Sequence, residues 1–192
     1  MKYLFFFIIL FFPFQQIAWS KGVLNEFLVA KPHMMDTRFK ETVIVMFMDN
    51  DKGAAGLVVN KPIKTIKISE FLKGSNNIFP NEIIDKDITL YWGGPVNPEN
   101  FYFIHSSDYK SNDFIISNKD YTITRTKDII YDIARNIGPK NFIILSGVSV
   151  WSPGQLDFEM YRGDWDKRLN SYIPIFDNGK QMWIRLISSK EI

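Results

Sequence analysis

The chain has 192 residues, of which 46% are hydrophobic and 23% are charged, a composition that excludes a disordered or collagen-like protein and suits one compact domain. The 23 lysine and arginine residues nearly balance the 21 aspartate and glutamate residues, and the charges are interspersed, which argues against a nucleic-acid-binding protein. Cysteine is absent, which excludes thiol nucleophiles, Cys-ligated zinc, iron–sulfur clusters and disulfides.

The N-terminus has the three-part pattern of a signal peptide. Lys2 supplies a positive charge, residues 3–12 form an apolar run, and the small residues Ala18 and Ser20 precede a cleavage site after Ser20. An apolar helix of ten residues is about 15 Å long, half the hydrocarbon thickness of a bilayer, and Pro13 interrupts its extension. We therefore predict a cleaved signal peptide and export to the periplasm. A membrane anchor and a cytoplasmic protein are the alternatives.

Residues 1–20 are thus the predicted signal peptide, and residues 21–192 are predicted to form one domain with no stable membrane span, because no linker or repeat divides them. Apolar, β-branched runs predict strands over 27–30, 42–48, 55–59 and 88–92. The cluster Asp49–Gly53 joins the second and third of these strands into a β-hairpin. A short helix over 69–72, ended by Gly74, precedes the fourth strand.

The second half of the domain mixes strands with helices. Strands are predicted over 101–106, 114–117, 121–125 and 141–150. A helix begins at Thr126 as N-cap, places Ile129, Ile130, Ile133, Ala134 and Ile137 on one face, and ends at Gly138–Pro139. Ser152 as an N-cap followed by a proline predicts a helix over 153–162, and residues 183–187 have helical spacing. Strands in runs with few helices indicate an α+β fold.

Ser149 is the candidate nucleophile, because it lies between a predicted strand and a predicted helix, the context of a nucleophile elbow. The second glycine of that pattern, G-x-S-x-G, is replaced by Trp151, and His33 and His105 are the only possible histidine bases. A hydrolase that uses Ser149, or a water activated by His105 or Asp36, is therefore the alternative function. The other interpretation of Ser149 is a residue at the end of a core strand.

No metal ion or cofactor is predicted. The segment Asp49–Gly53 begins like a calcium loop, but the loop's sixth position lacks glycine and its twelfth lacks glutamate. The glycines at positions 53 and 56 lack the Lys-Ser/Thr of a phosphate loop. The two histidines are far apart in the sequence and no carboxylate cluster accompanies either of them, which argues against zinc.

The segment Gly154-Gln155 lies at the predicted N-terminus of a helix. Free backbone N–H groups and the Gln155 amide at such a corner can hold an anion or the backbone of a partner. In the structural alternative, Gln155 ties down the turn after the preceding strand. The sequence leaves both interpretations open.

Several segments in the same order resemble the YqgE/AlgH family of small bacterial proteins. They are Phe27–Pro32, Asp36, Phe39, Thr42–Ile44, Asn50, Gly53–Asn60, Pro62, Tyr91–Val96, Ile104-His105, Trp151 and Gly154–Leu156. The resemblance covers most of the chain, and it implies an α+β fold in which a branched sheet curls into a pseudo-barrel with a few helices packed outside. It implies no reaction, and some members of the family carry a transcriptional-regulator label.

The leading functional hypothesis is a non-enzymatic binding or regulatory module for a protein or a small ligand. Glycine and polar residues lie at the predicted strand ends, where loops form binding sites, whereas no nucleophile–base set is evident. A transcriptional regulator is a further alternative, but an exported protein does not meet nucleic acid. The candidate binding surface comprises Asp36, Asn60, Gly93, Gly94, Pro95, His105, Trp151, Gly154 and Gln155.

Overall fold

The computed structural model describes residues 26–73, 83–169, 175–177, 179 and 181–189. The predicted signal peptide, residues 1–20, lies outside the described residues, as does Gly74, the predicted end of the first helix. Within the described residues, every helix is too short or too polar to cross a membrane.

Ten strands and four helices lie within these ranges. The strands are β1 (Glu26–Ala30), β2 (Val43–Asn50), β3 (Gly53–Val58), β4 (Pro62–Lys67), β5 (Asp87–Trp92), β6 (Val96–Ser106), β7 (Ile116–Ser117), β8 (Tyr121–Thr124), β9 (Phe142–Trp151) and β10 (Trp165–Leu169). The helices are α1 (Ile68–Lys73), α2 (Asp128–Ala134), α3 (Gln155–Arg162) and α4 (Gln181–Ser188).

The strands form one sheet that branches at β9. The main path runs β10-β1-β2-β3-β9-β6-β8-β7, so β3 and β6 flank β9 on opposite edges. The first half of β9, at 144–146, pairs in parallel with β5, whereas its last residues, 149–151, pair antiparallel with β3. Since β6 also pairs with residues 144–146, the strands β3 and β5 share the other edge of β9. The strand β4 extends the branch by pairing with β5.

Both faces of the central strands are buried, which explains why their sequences are apolar at nearly every position. On β1, Phe27 and Val29 pack in one core with Met182 and Leu186 of α4, whereas Leu28 and Ala30 pack in a second core with Leu156 of α3. A third core joins α1 and α2 to β5, β6 and β9.

The predicted α+β class and the branched sheet are confirmed. The sheet is open, because its hydrogen-bonded path ends at β10 and β7, each of which pairs with one neighbour among the described strands.

Three predicted helix boundaries are wrong. The helix α2 ends at Ala134, because Asn136 takes a left-handed conformation (φ +61°), and Ile137, predicted on the buried face, is 60% exposed. Its N-cap is Lys127, one residue after the predicted Thr126. The helix α3 begins at Gln155 rather than at residue 153, and its N-cap is Gly154 rather than Ser152.

The sequence pattern did not predict β4 or β10. All residues of β4 but one are exposed, and β10 alternates between half-buried and exposed positions after Trp165. These strands depend on pairing with β5 and β1 and not on a hydrophobic run of their own.

Candidate functional site

A groove of about 820 Å³, open to solvent, lies where the loop after β1 meets the start of β4 and the end of β5. We call it the Lys61 groove. Its lining comprises Thr37, Arg38, Lys40, Glu41, Asn60, Lys61, Pro62, Ile63, Trp92 and Pro95. Two residues of the predicted binding surface, Asn60 and Pro95, therefore line one groove, and Asp36 lies beside it through its contact with Arg38.

Lys61 is the charged residue of this groove whose surroundings are the most unusual. The residue is half-buried, and its ammonium donates to the Arg38 carbonyl oxygen at 2.6 Å and lies 5.6 Å from the centre of the Trp92 ring. The Trp92 backbone N–H donates to the Lys61 carbonyl oxygen at 2.8 Å, which holds the two residues together. No carboxylate of the described residues lies within 4 Å of this ammonium. Burial lowers the pKa of Lys61, opposed by the charges of Glu41 and Asp36.

The Asp36 carboxylate is occupied by hydrogen bonds from Arg38. The carboxylate accepts hydrogen bonds from Arg38 Nη2 at 2.6 Å, from Arg38 Nε at 3.0 Å and from the Arg38 backbone N–H at 3.0 Å. The Arg38 side-chain hydrogen bond lowers the pKa of Asp36. Asp36 therefore orients a cation at the groove and is not available as a base for a water molecule.

Asn60 is buried and holds the groove wall together. Its Oδ1 accepts from the Val43 backbone N–H at 2.8 Å, and its Nδ2 donates to the Glu41 carbonyl oxygen at 2.8 Å. Both ends of the amide are thus occupied, so Asn60 shapes the groove by fixing the loop before β2.

Gly93 and Gly94 are buried at the branch of the sheet, behind the groove. The Gly93 carbonyl accepts from the Val58 backbone N–H at 2.9 Å, which joins the end of β3 to the end of β5. A Cβ on Gly94 would overlap the backbone at Val148 and Ser149. These glycines allow backbones to approach closely, whereas Pro95 reaches the surface.

The corner formed by Trp151, Gly154 and Gln155 lies elsewhere. Trp151 pairs with Ala54 at the start of β3, whereas Asn60 follows the end of β3, so about 15–20 Å separate this corner from the groove. Gln155 Oε1 accepts from the Ser152 backbone N–H at 3.1 Å, and Nε2 donates to Glu159 at 3.0 Å. Gln155 therefore ties down the turn, as its structural alternative predicted.

A row of aromatic side chains connects the two groups. Ring centres lie 5.4 Å apart for Trp92 and Phe39, 5.8 Å for Phe39 and Trp165, and 6.1 Å for Trp165 and Trp151. At the far end, Glu159 Oε2 accepts from the indole Nε1 of both Trp151 and Trp165, each at 2.8 Å. The carboxylate thus holds the aromatic row that supports Trp92.

His105 belongs to neither group. It pairs with Phe142 at the start of β9, six residues and about 20 Å along that strand from Val148, which pairs with Val96 next to the groove. It is fully buried, its Nδ1 donates to the Ser106 carbonyl oxygen at 3.0 Å, and its Nε2 has no partner. Burial lowers the pKa of His105. The expectation that His105 joins the binding surface, or activates a water there, is therefore wrong.

The buried imidazole predicts a pH dependence of stability. Since the folded-state pKa lies below the unfolded value of 6.5, the unfolded chain binds the proton more tightly, and this contribution to stability is lost as pH falls below about 6.5. The stability advantage of the wild type over His105→Asn should thus shrink between pH 7.5 and pH 5, as measured by urea unfolding. The matched control is His33→Asn at an exposed position. An advantage that stays constant with pH contradicts the prediction.

Ser149 does not have the geometry of a nucleophile. It is fully buried, and its hydroxyl donates to the Gly93 carbonyl oxygen at 3.2 Å instead of contacting a histidine. The interpretation of Ser149 as a core-strand residue is confirmed, and the hydrolase that uses it is excluded by this burial.

Lys61 and Arg38 were absent from the predicted surface. Lysine and arginine in a loop are usually solvated, and the sequence contains no pattern that distinguishes them. Only the neighbouring Asn60 and Pro62 lay within a recognised motif.

Comparisons with known proteins agree with this fold. The family model DUF179, described as AlgH-like, matches residues 27–192. A UPF0301 protein of Cereibacter sphaeroides is 36% identical over 72% of this chain and 74% of its own length, and one of Rickettsia akari is 32% identical over 81% and 82%.

Two solved structures are also similar. The solution structure of the AlgH protein from Pseudomonas aeruginosa has a TM-score of 0.70 and 26% identity, covering 85% of this chain and 86% of that one. A crystal structure of a Corynebacterium diphtheriae protein, at 16% identity, shares the fold alone, with a TM-score of 0.62 over 88% of this chain and 87% of that one.

Proposed function

The chain belongs to the AlgH-like family of UPF0301 proteins, and from this premise we propose that it is a non-enzymatic binding module whose Lys61 groove takes up an anionic ligand. Family membership supplies a fold and no reaction. We also propose that the ligand is met outside the cytoplasm, on the basis of the signal-peptide pattern of residues 1–20.

The Lys61 ammonium is the observation that carries this proposal. Burial penalises an unpaired charge, so an anion in contact with the ammonium would stabilise a partly buried lysine such as Lys61. Here one backbone carbonyl and the face of Trp92 are its contacts among the described residues. A carboxylate or sulfonate that enters the groove would place a counter-charge in direct contact with Lys61, whereas Glu41 and Asp36 act on it from more than 4 Å away.

The remaining lining defines the chemical class of the ligand. Lys40 adds positive charge at the mouth and lacks a carboxylate within 4 Å among the residues that the structure describes, whereas Arg38 is paired with Asp36 and Glu41 contributes one negative charge to the lining. Trp92, Ile63 and Pro95 offer apolar contact area. The groove therefore suits an anion that carries an apolar or planar portion.

The test uses 8-anilinonaphthalene-1-sulfonate, an aromatic anion whose fluorescence rises in apolar surroundings. In Lys61→Met, which keeps the aliphatic stem, we expect its affinity to fall at least tenfold, because a hydrogen bond to a charged group contributes about 1.5–3 kcal/mol. Fluorescence titration measures the dissociation constant.

Two controls distinguish the loss of the Lys61 charge from a general change in the folded protein. Lys52→Met changes an exposed lysine in the β2–β3 turn and should leave the affinity unchanged. N-phenyl-1-naphthylamine, which lacks the sulfonate, should bind equally to the wild type and to Lys61→Met. If the sulfonate binds Lys61→Met as tightly as the wild type, the groove does not recognise anions through Lys61.

A further inference from the structure

Among the described strands, β4 has a neighbour on one side only, and its other edge lies next to the Lys61 groove. That neighbour is β5, and all residues of β4 are exposed except Ile66, which is half-buried. An edge of this kind offers a row of backbone N–H and C=O groups to an additional strand.

The register identifies which groups face outward. The Ile68 backbone N–H donates to the Lys86 carbonyl at 3.0 Å, directly beyond the Lys67–Asp87 pair. Because hydrogen-bonded and non-hydrogen-bonded pairs alternate between antiparallel strands, Thr65 and Lys67 are in non-hydrogen-bonded pairs with β5. The backbone N–H and C=O groups of Thr65 and Lys67 therefore point toward the free edge.

Side-chain contacts agree with this assignment. Thr65 Oγ1 lies 3.0 Å from Thr89 Oγ1, and Lys67 Nζ lies 3.0 Å from Asp87 Oδ1. Such close cross-strand contacts are typical of non-hydrogen-bonded pairs, where the side chains approach most closely.

Two grooves adjoin β4. The Lys61 groove lies at the start of β4, and a second cavity of about 500 Å³, which we call the Phe101 groove, lies beside Lys64 and Ile66. The second groove extends from β4 over β5 and β9 to β6, away from the edge of β4 that has no neighbour among the described strands, and its wall contains apolar side chains as well as Glu70 and Glu99. Ile63 lines both grooves.

The charges along β4 indicate which kind of partner would bind to this edge. Lys61, Lys64 and Lys67 lie within seven residues that contain no acidic residue, whereas the nearby carboxylates of Glu41, Glu70 and Glu99 come from other segments and line the two grooves. The ion pairs of Lys64 with Glu70 and of Lys67 with Asp87 are exposed, and such pairs are weak enough to be exchanged. A second copy of β4 would bring lysines against lysines, which is unfavourable.

We propose that β4 binds an acidic, extended peptide segment by strand addition, with backbone hydrogen bonds to Thr65 and Lys67 and an acidic side chain on Lys61. This inference rests on the proposed function, because it uses Lys61 as the anion anchor. It adds the chemical class of the partner and the backbone groups that bind it.

The probe is an acetylated and amidated octapeptide of alternating glutamate and valine, added to the isotopically labelled full chain. We expect slower amide hydrogen exchange at Thr65 and Lys67, shift changes in the Trp92 indole, and displacement of 8-anilinonaphthalene-1-sulfonate. The equivalent lysine–valine peptide should not bind. Unchanged exchange at both amides would overturn the proposal and leave the lysines as protection of the edge against aggregation.

The variant Thr65→Pro removes an outward N–H while sparing the ladder to β5, and proline is tolerated at such edge positions. We expect the peptide to bind it at least tenfold more weakly, whereas Thr65→Val, which keeps the N–H, should bind as the wild type does. If Thr65→Pro does not fold, the hydrogen-exchange result on the wild type decides whether the peptide pairs with β4.

Further outcomes distinguish the two proposals. If the aromatic sulfonate binds through Lys61 but the peptide does not bind, strand addition fails and the proposed function stands. If neither probe depends on Lys61, both fail. Sedimentation that shows self-association abolished by Thr65→Pro would identify a second copy as the occupant and overturn the acidic-peptide assignment.

Discussion

Replacing Gly147 by alanine should destabilise the protein far more than replacing Gly154, although both glycines have nearly the same positive φ, +73° and +75°. A left-handed conformation costs a non-glycine residue about 1–2 kcal/mol, and this penalty applies equally to both positions. At Gly147 a Cβ would also overlap the Gly94 carbonyl oxygen, whereas at Gly154 it would meet no atom within 4 Å. Overpacking adds about 1–3 kcal/mol, so we expect roughly 2–5 kcal/mol at Gly147.

Urea unfolding of the two alanine variants measures this difference, and Gly154→Ala is the matched control for conformation alone. Equal losses of stability at both positions would show that the close backbone approach at the branch of β9 does not add to the cost of the Gly147 substitution. If Gly147→Ala fails to fold while Gly154→Ala folds, the prediction also holds, because the penalty then exceeds the stability of the domain. The branch supports Pro95, so a folded Gly147→Ala should also bind 8-anilinonaphthalene-1-sulfonate less tightly.

Removing the Glu159 side chain should cost about 2–4 kcal/mol, the second large effect. Its Oε2 is the acceptor for both indole N–H groups, of Trp151 and of Trp165, and both tryptophans are buried. An unsatisfied buried donor costs about 1–3 kcal/mol, and Glu159→Ala creates two of them; since both hydrogen bonds are part-buried, we expect the lower part of that range, about 1–2 kcal/mol each. The loss of the Gln155 contact adds little, because Gln155 is exposed.

The variants Glu159→Gln and Asp157→Ala distinguish the loss of the hydrogen-bond acceptor from the loss of a negative charge on α3. Glu159→Gln keeps an oxygen acceptor of the same length and should lose less stability than Glu159→Ala. Asp157→Ala removes an exposed carboxylate from the same turn of α3 and should change the free energy of unfolding by about 0.5 kcal/mol or less. A loss in Glu159→Ala no larger than that in Asp157→Ala would contradict the role assigned to the carboxylate.

These two sites bear on the groove in different ways. The glycine branch positions the ends of β3 and β5, from which Asn60 and Trp92 reach the groove. Glu159 acts at a distance through the aromatic row, since Trp165 contacts Phe39 and Phe39 contacts Trp92. Variants at either place are therefore expected to alter anion binding through the shape of the groove and not through its charge.

Much of the fold was predictable from the residues alone. The run from Thr42 to Met48 and the strand 141–150 are apolar on both faces, and this composition has few structural solutions other than a covered strand. The turn residues at 49–53 likewise determine the first hairpin. The strand β4 was not predictable, because an exposed edge strand gains its stability from its neighbour β5 and not from its own hydrophobic pattern.

The fold class, the family and the glycines that allow close packing could be read from the residues, since each depends on local composition or on backbone freedom at one position. Which polar residues share a groove became visible in the folded protein alone. Asn60 and Gln155 belong to equally distinct motifs, yet both use their amides to hold turns, whereas Lys61 stands beside Trp92 without a carboxylate partner among the described residues. The physical reason is that the burial and pairing of a charge depend on contacts between segments distant in sequence, such as those of Lys61 with Arg38 and Trp92.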